Sequence, residues 1–476
     1  MKYNKKAWLT FGILVASSLL IRFFSFFPWI IDHDESTYLV IANELNHGAV
    51  YLKDVIDTKP IGIFWLYGIM LKFTGSSIFM LRLLTSIFIA FTSFIIYSLQ
   101  WKWTGNQAAS WISAITYTLM ISTFTRWGLG PNTEIFFMAF IVMALYLLLF
   151  FNTSWMNFAV GICFGAAFHI KYVAAADVFA FIMYFAIQAY RFQQGYDILM
   201  NRVRWIATGY LLVTGFILLY YFHHNSLDLY LSINSKVGSQ YASSTTIFER
   251  LKFFADFFFR FAPVTLLVFW GLIRGVFKLH PYKSLLILWI VMDLMIILYP
   301  GKYFEHYFIQ IMPAVSLMFG FWFTNGHGLQ FIHWTKKRLW LVISGLSLLT
   351  GGLMVAHYKA FTLKPEPIKQ VYEYLIQQLK PGETFYPGNS HHLLYFLFNQ
   401  KSLCPYVHSS LIWNKEHRRA LDIDASHEID RIRSHAPDYI LWDERSDESE
   451  LKNQLLAGYL YRHPIGEHLF VYRKQP

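Results

Sequence analysis

The chain has 476 residues, of which 55% are hydrophobic and only 14% are charged. Soluble domains carry roughly 25% charged residues, so this composition excludes an ordinary soluble protein and indicates a lipid-facing surface. The net charge of +11 does not indicate nucleic-acid binding, because the basic residues form short clusters between apolar runs. Cys163 lies in an apolar run and Cys404 in the tail, which supports neither a disulfide framework nor a metal site.

The apolar runs predict a polytopic α-helical membrane protein with about eleven transmembrane helices of about 20 residues each. The first span, residues 7–31, follows the basic start MKYNKK, and no small-residue cleavage site follows it. We therefore predict an anchor and not a signal peptide. The short apolar run 61–73 is predicted to lie in or beside the membrane interface. The remaining predicted spans are 77–99, 107–124, 133–151, 155–170, 172–190, 205–222, 255–277, 283–299, 304–323 and 339–356, with a polar loop at 223–252.

The basic residues predict the orientation, because lysine and arginine are enriched in cytoplasmic loops. Counted alternately from a cytoplasmic N-terminus, the inside segments hold most of them, and the first outer loop, residues 32–60, is rich in acids. With an odd number of spans the tail then lies outside. The inside residues are Lys2, Lys5, Lys6, Lys102, Arg191, Arg202, Arg204, Arg274, Lys278, Lys283, Lys336, Lys337 and Arg338.

The tail, residues 359–476, has a normal charge density and no predicted span. We predict helices at 368–379, 425–436 and 448–459, and strands at 383–387, 438–442 and around 468–474. This alternation is typical of a small α/β domain. The predicted organisation is therefore a transmembrane domain at 1–358 and an extracytoplasmic α/β domain at 359–476.

The first outer loop contains the densest set of charged residues. Asp34 and Glu35 precede an amphipathic stretch in which Tyr38 falls at helical spacing with later apolar residues, and Gly48 would end the helix. The pattern predicts a helix on the membrane surface. Two roles are open for Asp34, an N-cap or a chemical one. Lys59 closes the loop and either snorkels to lipid headgroups or binds a substrate.

A second charged cluster begins the span at 304–323. Lys302, Glu305 and His306 lie together there, and Tyr303 and Tyr307 are four residues apart on one helical face. An aromatic belt explains the tyrosines, but it does not explain the neighbouring ionisable residues.

A third set consists of Arg126, Glu134 and Lys171, which the predicted topology places near the outer face. Arg82 lies within a span, where a partner acid or phosphate is expected. A structural ion pair is the alternative for each residue. Acids and bases from distant parts of the chain thus converge on one side of the membrane.

The motifs follow one another in a definite order along the chain. They are Asp34-Glu35-Ser36-Thr37-Tyr38, Ala42, Gly48, Lys59-Pro60, Arg82-Leu83, Gly161, Gly165 and Lys171, and Lys302-Tyr303, His306-Tyr307 and Pro313.

This set resembles the GT-C superfamily of membrane glycosyltransferases over nearly the whole chain. The similar branch is the protein O-mannosyltransferase-like bacterial one, with the lipid A aminoarabinose transferases and the Rgt-type galacturonosyltransferases. Thr58 before Lys59, Ile61 after Pro60 and His33 before Asp34 depart from the family pattern. These departures affect the identification of the substrate more than that of the reaction.

The resemblance implies transfer of a sugar, with inversion, from a polyprenyl-phosphate donor to an envelope lipid, glycan or protein acceptor. The reaction would take place on the outer side of the bacterial cytoplasmic membrane. The acceptor needs a carboxylate base, for which Asp34 is the first candidate and Glu35 the second. The leaving phosphate needs cations, for which the candidates are Lys59, Lys302, Arg82 and Lys171. The candidate substrate-binding residues are Tyr38, Tyr303, His306, Tyr307, Arg126 and Glu134.

Neither a P-loop nor a dinucleotide fingerprint is present in the sequence, and no cofactor is predicted, although a divalent metal stays open. Three other functions were weighed. A glycan ligase would use a polyprenyl-diphosphate donor. A lipid or glycan transporter should show repeated halves and central charges, and a membrane-anchored binding module would not require the acids of the first loop.

Overall fold

The computed structural model describes residues 2–191, 196–240, 245–277, 280, 282–324, 336–363, 366–445 and 449–475. Lys278, one of the basic residues counted for orientation, and residue 448, the first of a predicted helix, lie outside them. The described helices are α1 (Lys2–Arg22), α2 (His33–Asn46), α3 (Ile61–Thr74), α4 (Ile78–Thr104), α5 (Gln107–Thr123), α6 (Thr133–Phe150), α7 (Ser154–Ile170), α8 (Ala175–Arg191), α9 (Tyr196–His223), α10 (Leu227–Gln240), α11 (Ile247–Arg260), α12 (Ala262–Arg274), α13 (Lys283–Leu298), α14 (Met312–Gly320), α15 (Lys336–Phe361), α16 (Pro367–Gln378), α17 (Leu393–Leu397), α18 (Ser410–Trp413), α19 (Lys415–Leu421), α20 (Ala425–Ser434) and α21 (Ser449–Leu456). The strands are β1 (Phe385–Tyr386), β2 (Tyr439–Asp443), β3 (Tyr459–Ile465) and β4 (Leu469–Lys474).

The predicted fold class, a polytopic α-helical protein with a small C-terminal α/β part, is confirmed. By length and composition, six of the described helices can cross a membrane, or seven if the bent pair α11 and α12 is one span. Several of the other predicted spans form shorter helices, such as α7 with 17 residues and α13 with 16. The total of about eleven spans therefore stays a prediction.

The chain forms two compact units, and the first contains most of the apolar helices. It comprises the described residues of Met1–Phe26, Arg82–Ile217 and Ser243–Phe361. In it α6 packs against α7, α5 against α14, and α8 against α13. Most of the predicted spans within it begin and end within a few residues of these helices, because long apolar runs specify helices strongly in a membrane.

Glycines allow α7 and α9 to cross at very close range. A Cβ atom added at Gly161 would lie 2.0 Å from the carbonyl oxygen of Ile206 on α9. A Cβ atom added at Gly209 would lie 2.1 Å from the carbonyl oxygen of Phe158 on α7. Each glycine thus faces the backbone of the other helix, which is the close approach that small residues permit in membrane helix pairs.

Two predictions about the region between residues 223 and 277 were wrong. The predicted polar loop 223–252 contains helix α10 and the start of α11. The predicted span 255–277 is split, because α11 and α12 meet at Phe261 with a bend of 103°. Pro263 stands in the first turn of α12, where it begins a helix but cannot continue one.

The second unit comprises the described residues of Phe27–Leu81, Leu218–Ala242 and Thr362–Pro476. Its sheet has the strand order β1-β2-β4-β3, with β1 parallel to β2 and the other pairs antiparallel. The predicted tail helices and three strands are present, and β3 adds a strand that the sequence did not predict. The division of the chain at residue 358 stays a prediction, since this unit also contains the first outer loop.

Candidate functional site

Helix α2 begins one residue before Asp34. Its N-cap is Asp32, whose carboxylate accepts a hydrogen bond from the backbone nitrogen of Asp34 at 2.9 Å. The N-cap role considered for Asp34 is therefore wrong, because Asp32 already caps the helix. The Asp34 side chain projects from the first turn and makes contacts unrelated to capping.

Helix α2 is covered by protein, and its predicted placement on the membrane surface stays a prediction. The helix is enclosed by α3 and α17 within the second unit, and its residues from Glu35 to Ala42 are all buried. The spacing of the apolar residues correctly predicted a helix, but residues of the tail cover the polar side chains that lie between them. Glu35, the second candidate base, is only 1% exposed, whereas the Asp34 side chain is 17% exposed.

Three side chains converge on the Asp34 carboxylate. The Lys59 ammonium lies 2.9 Å from Oδ1, and Nε2 of His408 lies 3.6 Å from the same oxygen. The Tyr38 hydroxyl donates to Oδ2 at 3.3 Å. The Lys59 side chain is 19% exposed and that of His408 17%, so the cluster is partly shielded but reachable.

The backbone of Lys59 is fixed by a buried tyrosine. The Tyr51 hydroxyl lies 2.5 Å from the carbonyl oxygen of Lys59 and 3.0 Å from that of Asp57. The Asp57 carboxylate is buried and its Oδ2 lies 3.8 Å from the Lys59 ammonium. Lys59 therefore stands between two carboxylates, which gives a cation a defined position in this cluster.

Histidines from the tail complete this region, and the sequence reasoning missed them. Nε2 of His392 lies 2.9 Å from the Thr37 hydroxyl and 3.2 Å from the carbonyl oxygen of His33. The His392 and His408 rings are 5.4 Å apart. Burial lowers the pKa of His392 well below its usual value, and the charges of His408 and His33 lower it further. The available signal was the His391-His392 pair, but sequence alone did not bring it to Asp34.

In the first unit, Lys171 and Glu134 form a salt bridge. The Lys171 ammonium also lies 4.1 Å from the centre of the Tyr307 ring, and the Thr133 hydroxyl donates to Glu134 Oε2 at 2.9 Å. Glu134 is 1% exposed. The structural ion pair that was the alternative for Lys171 and Glu134 is thus present.

The other residues of the second predicted cluster lie around the 3₁₀ segment Glu305–Ile311. Arg126 pairs with Glu305 at 3.6 Å, His306 stacks on Phe304, and Tyr303 contacts Phe253 with ring centres 5.2 Å apart. Lys302 lies three residues before this segment. The structure therefore brings Arg126 to the 302–307 cluster, which Lys171, the partner of Glu134, also contacts through Tyr307.

A buried polar cluster holds the same segment in place. The Gln310 amide donates to Asp177 at 2.7 Å and to Asp293 at 3.3 Å, and the Trp289 indole donates to Asp177 at 2.6 Å. These contacts tie the segment to α8 and α13. Neither aspartate was predicted from the sequence to have a functional role.

Two buried arginines of the first unit bind backbone carbonyls. Arg82 is fully buried and donates to Ser25 at 3.0 Å. Arg22, at the end of α1, donates to Gly128 at 2.8 Å and to Leu129 at 2.7 Å. An acid or a phosphate was expected as the partner of Arg82. The groups that Arg82 contacts in the structure include the backbone carbonyl of Ser25.

No group of three or more His, Cys, Asp or Glu side chains in the described part of the chain is arranged to hold a metal ion. The candidate site of the second unit is instead an aspartate with a lysine, a tyrosine and a histidine around it. Such an arrangement can accept a proton and bind an anion.

Comparisons with known proteins agree with this description. Residues 58–221 match the family described as dolichyl-phosphate-mannose-protein mannosyltransferase. The fold is similar to that of ArnT from Cupriavidus metallidurans bound to undecaprenyl phosphate, with a TM-score of 0.67, 11% identity and 97% of each chain covered. The apo form of ArnT gives a TM-score of 0.65 and 12% identity, with 98% of each chain covered. No curated protein sequence matches the chain. The predicted fold is confirmed, and the family match agrees with the resemblance found in the sequence.

Proposed function

We propose that this chain, which has the fold of the GT-C membrane glycosyltransferases, transfers a sugar from a polyprenyl-phosphate donor to an acceptor of the cell envelope. The family match over residues 58–221 supports glycosyl transfer. The similar structure of ArnT binds undecaprenyl phosphate, which supports a lipid-phosphate donor. The observation that carries the proposal is the Asp34 carboxylate, which does not cap its helix and is held beside Lys59, His408 and Tyr38.

In the proposed reaction Asp34 is the general base. It accepts the proton of the acceptor hydroxyl while the hydroxyl oxygen attacks the anomeric carbon of the sugar. The bond between that carbon and the phosphate oxygen breaks, and the electron pair leaves with polyprenyl phosphate. A single displacement inverts the anomeric carbon, and a base positioned within hydrogen-bond reach typically contributes about 10²–10⁴-fold to the rate.

Lys59 links the base to the donor in this proposal. Its ammonium lies 2.9 Å from Asp34 Oδ1, and an ammonium also binds the charge that develops on a leaving phosphate. When the donor phosphate competes for Lys59, Oδ1 becomes available to the acceptor proton. Donor binding would then precede activation of the base. His408, 3.6 Å from the same oxygen, is positioned to pass the proton to solvent.

The other assignments made from the sequence stay predictions. They are a phosphate-binding role for Lys302, Arg82 and Lys171, and a substrate-binding role for Tyr38, Tyr303, His306, Tyr307, Arg126 and Glu134.

The test is sugar transfer from a synthetic polyprenyl-phosphate sugar by purified Asp34→Asn protein. We expect turnover to fall by about 10²–10⁴-fold, because an amide cannot accept the proton. Asp32→Asn is the matched control, since it makes the same change two residues away and asparagine is as good an N-cap as aspartate. This control should retain turnover.

Near-normal turnover of folded Asp34→Asn protein would contradict the assignment and move it to Glu35. The same assay separates the alternatives. A glycan ligase would use only a polyprenyl-diphosphate donor, and a transporter would leave both donors intact.

A further inference from the structure

A second concave site lies in the same unit as Asp34 but does not include it. The cavity has a volume of about 550 Å³ and is lined by the end of α2, the following loop to Asp54, residues 399–405, Arg431 and His435. We call it the lysine-rimmed pocket, after Lys53 and Lys401. Neither the family match nor the proposed chemistry gives it a role.

The charge of the lysine-rimmed pocket favours an anion. Lys53, Lys401 and Arg431 are exposed, and neither lysine makes a salt bridge within the part of the chain that the structure describes. Arg431 pairs with Glu428 at 3.5 Å, and Lys401 lies close enough to Glu44 for their charges to interact. Cations held at the rim of a concave surface concentrate anionic ligands.

The two acids of the pocket are directed toward the backbone. Glu44 is 8% exposed and accepts a hydrogen bond from the Ser402 nitrogen at 2.7 Å. Asp54 accepts one from the Val50 nitrogen at 2.7 Å. Burial raises the pKa of Glu44. Three cationic side chains, Lys53, Lys401 and Arg431, stand against these two carboxylates in the lining, so cations are in excess.

Polar side chains, together with apolar residues such as Leu403, form the rest of the wall. The Asn43 amide donates to the Asn399 side chain at 3.1 Å, and both amides line the cavity together with Ser402 and His47. Amides and hydroxyls that alternate with cations match the hydroxyl groups of a sugar better than an apolar ligand.

The pocket is connected to the site of chemistry by three stretches of chain. Helix α2 carries Asp34 in its first turn and Glu44 in its last, about 15 Å away at 1.5 Å per residue. Residues 399–405 line the pocket, and the same segment continues to His408. The loop after α2 lines the pocket and continues to Lys59, and the two segments meet where the Ile56 nitrogen donates to the Pro405 carbonyl at 2.7 Å.

From this placement we infer that the lysine-rimmed pocket binds an anionic saccharide, as a part of the acceptor remote from the hydroxyl that reacts. The statement that the bound saccharide is a part of the acceptor rests on the proposed function. The binding of an anionic saccharide to the pocket does not depend on that function. A group bound about 15 Å from the base contributes to affinity and not to the proton transfer, so its loss should raise KM and leave kcat unchanged.

The test is binding of maltose 1-phosphate to the purified full-length protein in neutral lipid nanodiscs, with maltose and inorganic phosphate as matched probes. We expect saturable binding of maltose 1-phosphate and at least tenfold weaker binding of both other probes. The double variant Lys53→Gln/Lys401→Gln should weaken binding of maltose 1-phosphate by about tenfold or more, because each lysine supplies a charge-assisted contact. Lys369→Gln, an exposed lysine on α16 of the same unit, is the control and should bind like the unchanged protein.

Equal binding by the double variant, or equal binding of maltose, would overturn the inference. Displacement of the probe by phosphatidylglycerol in the disc, with inorganic phosphate competing as well as maltose 1-phosphate, would overturn it in favour of a lipid headgroup. The proposed function fails separately. If Asp34→Asn protein binds the probe but transfers no sugar, both proposals are supported. If it binds the probe and keeps full turnover, only the assignment of Asp34 as the base is contradicted.

Discussion

The crossing of α7 and α9 makes a quantitative prediction about stability. In Gly209→Ala the new methyl group would lie 2.1 Å from the Phe158 carbonyl oxygen, whereas ordinary van der Waals contact begins at 3.4 Å. The obstacle is backbone of another helix, so the two helices must separate by more than an ångström. Overpacking of this kind costs about 1–3 kcal/mol. Thermal unfolding in detergent should therefore show a lower melting temperature for the variant.

Gly215→Ala on the same helix is the matched control. A Cβ atom at Gly215 has no atom within 4 Å, and alanine is the better helix former by about 0.5–1 kcal/mol. The control should melt at the same temperature as the unchanged protein or slightly higher. Gly161→Ala should resemble Gly209→Ala, and the double variant should cost less than the two single costs combined, because one separation of the helices relieves both contacts. Equal melting of Gly209→Ala and Gly215→Ala would refute the close crossing.

Three further predictions concern the second unit. Lys59→Ala should weaken binding of polyprenyl phosphate by about 10-fold to 150-fold, the loss expected for a charge-assisted contact worth about 1.5–3 kcal/mol; unchanged binding in a titration would remove Lys59 from the site. Burial lowers the pKa of His391 from 6.5 to about 4 and also lowers that of His392. On acidification the unfolded chain therefore binds protons at a higher pH than the folded chain does. Stability should therefore fall as the pH drops from about 6.5 to about 4, by up to about 3 kcal/mol for His391. In thermal unfolding His392→Gln should show a weaker pH dependence, and an identical one would contradict this reasoning. Cysteines placed at Asn46 and Lys369 should react with an impermeant reagent in intact cells, and reaction only after lysis would refute an outward-facing loop and tail.

The tail shows how far local sequence patterns reach. Helices α16 and α20 and strands β2 and β4 lie where the sequence predicted them, because their apolar period is strong over a short stretch. Strand β3 was missed, since it contains Pro464, which argues against a strand. It lies beside β4 at the edge of the described sheet, where proline is tolerated.

The candidate site could be predicted only in part, for a physical reason. Asp34, Tyr38 and Lys59 lie on one loop, so their charges and spacing were visible in the sequence. His408 reaches Asp34 through contacts between segments more than 300 residues apart, which no local pattern encodes. The same limit explains why the burial of α2 was not predicted, since the tail residues that cover it are equally distant.

The pairing of an early segment with a late one has a consequence for how the protein is made. The helix that carries Asp34 is translated well before the tail residues that it contacts. Thr37 contacts His392 and Glu44 accepts a hydrogen bond from the Ser402 backbone, and both partners follow more than 300 residues later in the chain. The nascent chain must therefore hold a long set of membrane helices before its first loop can acquire its native neighbours. A chain truncated before His392 would leave that loop without these contacts.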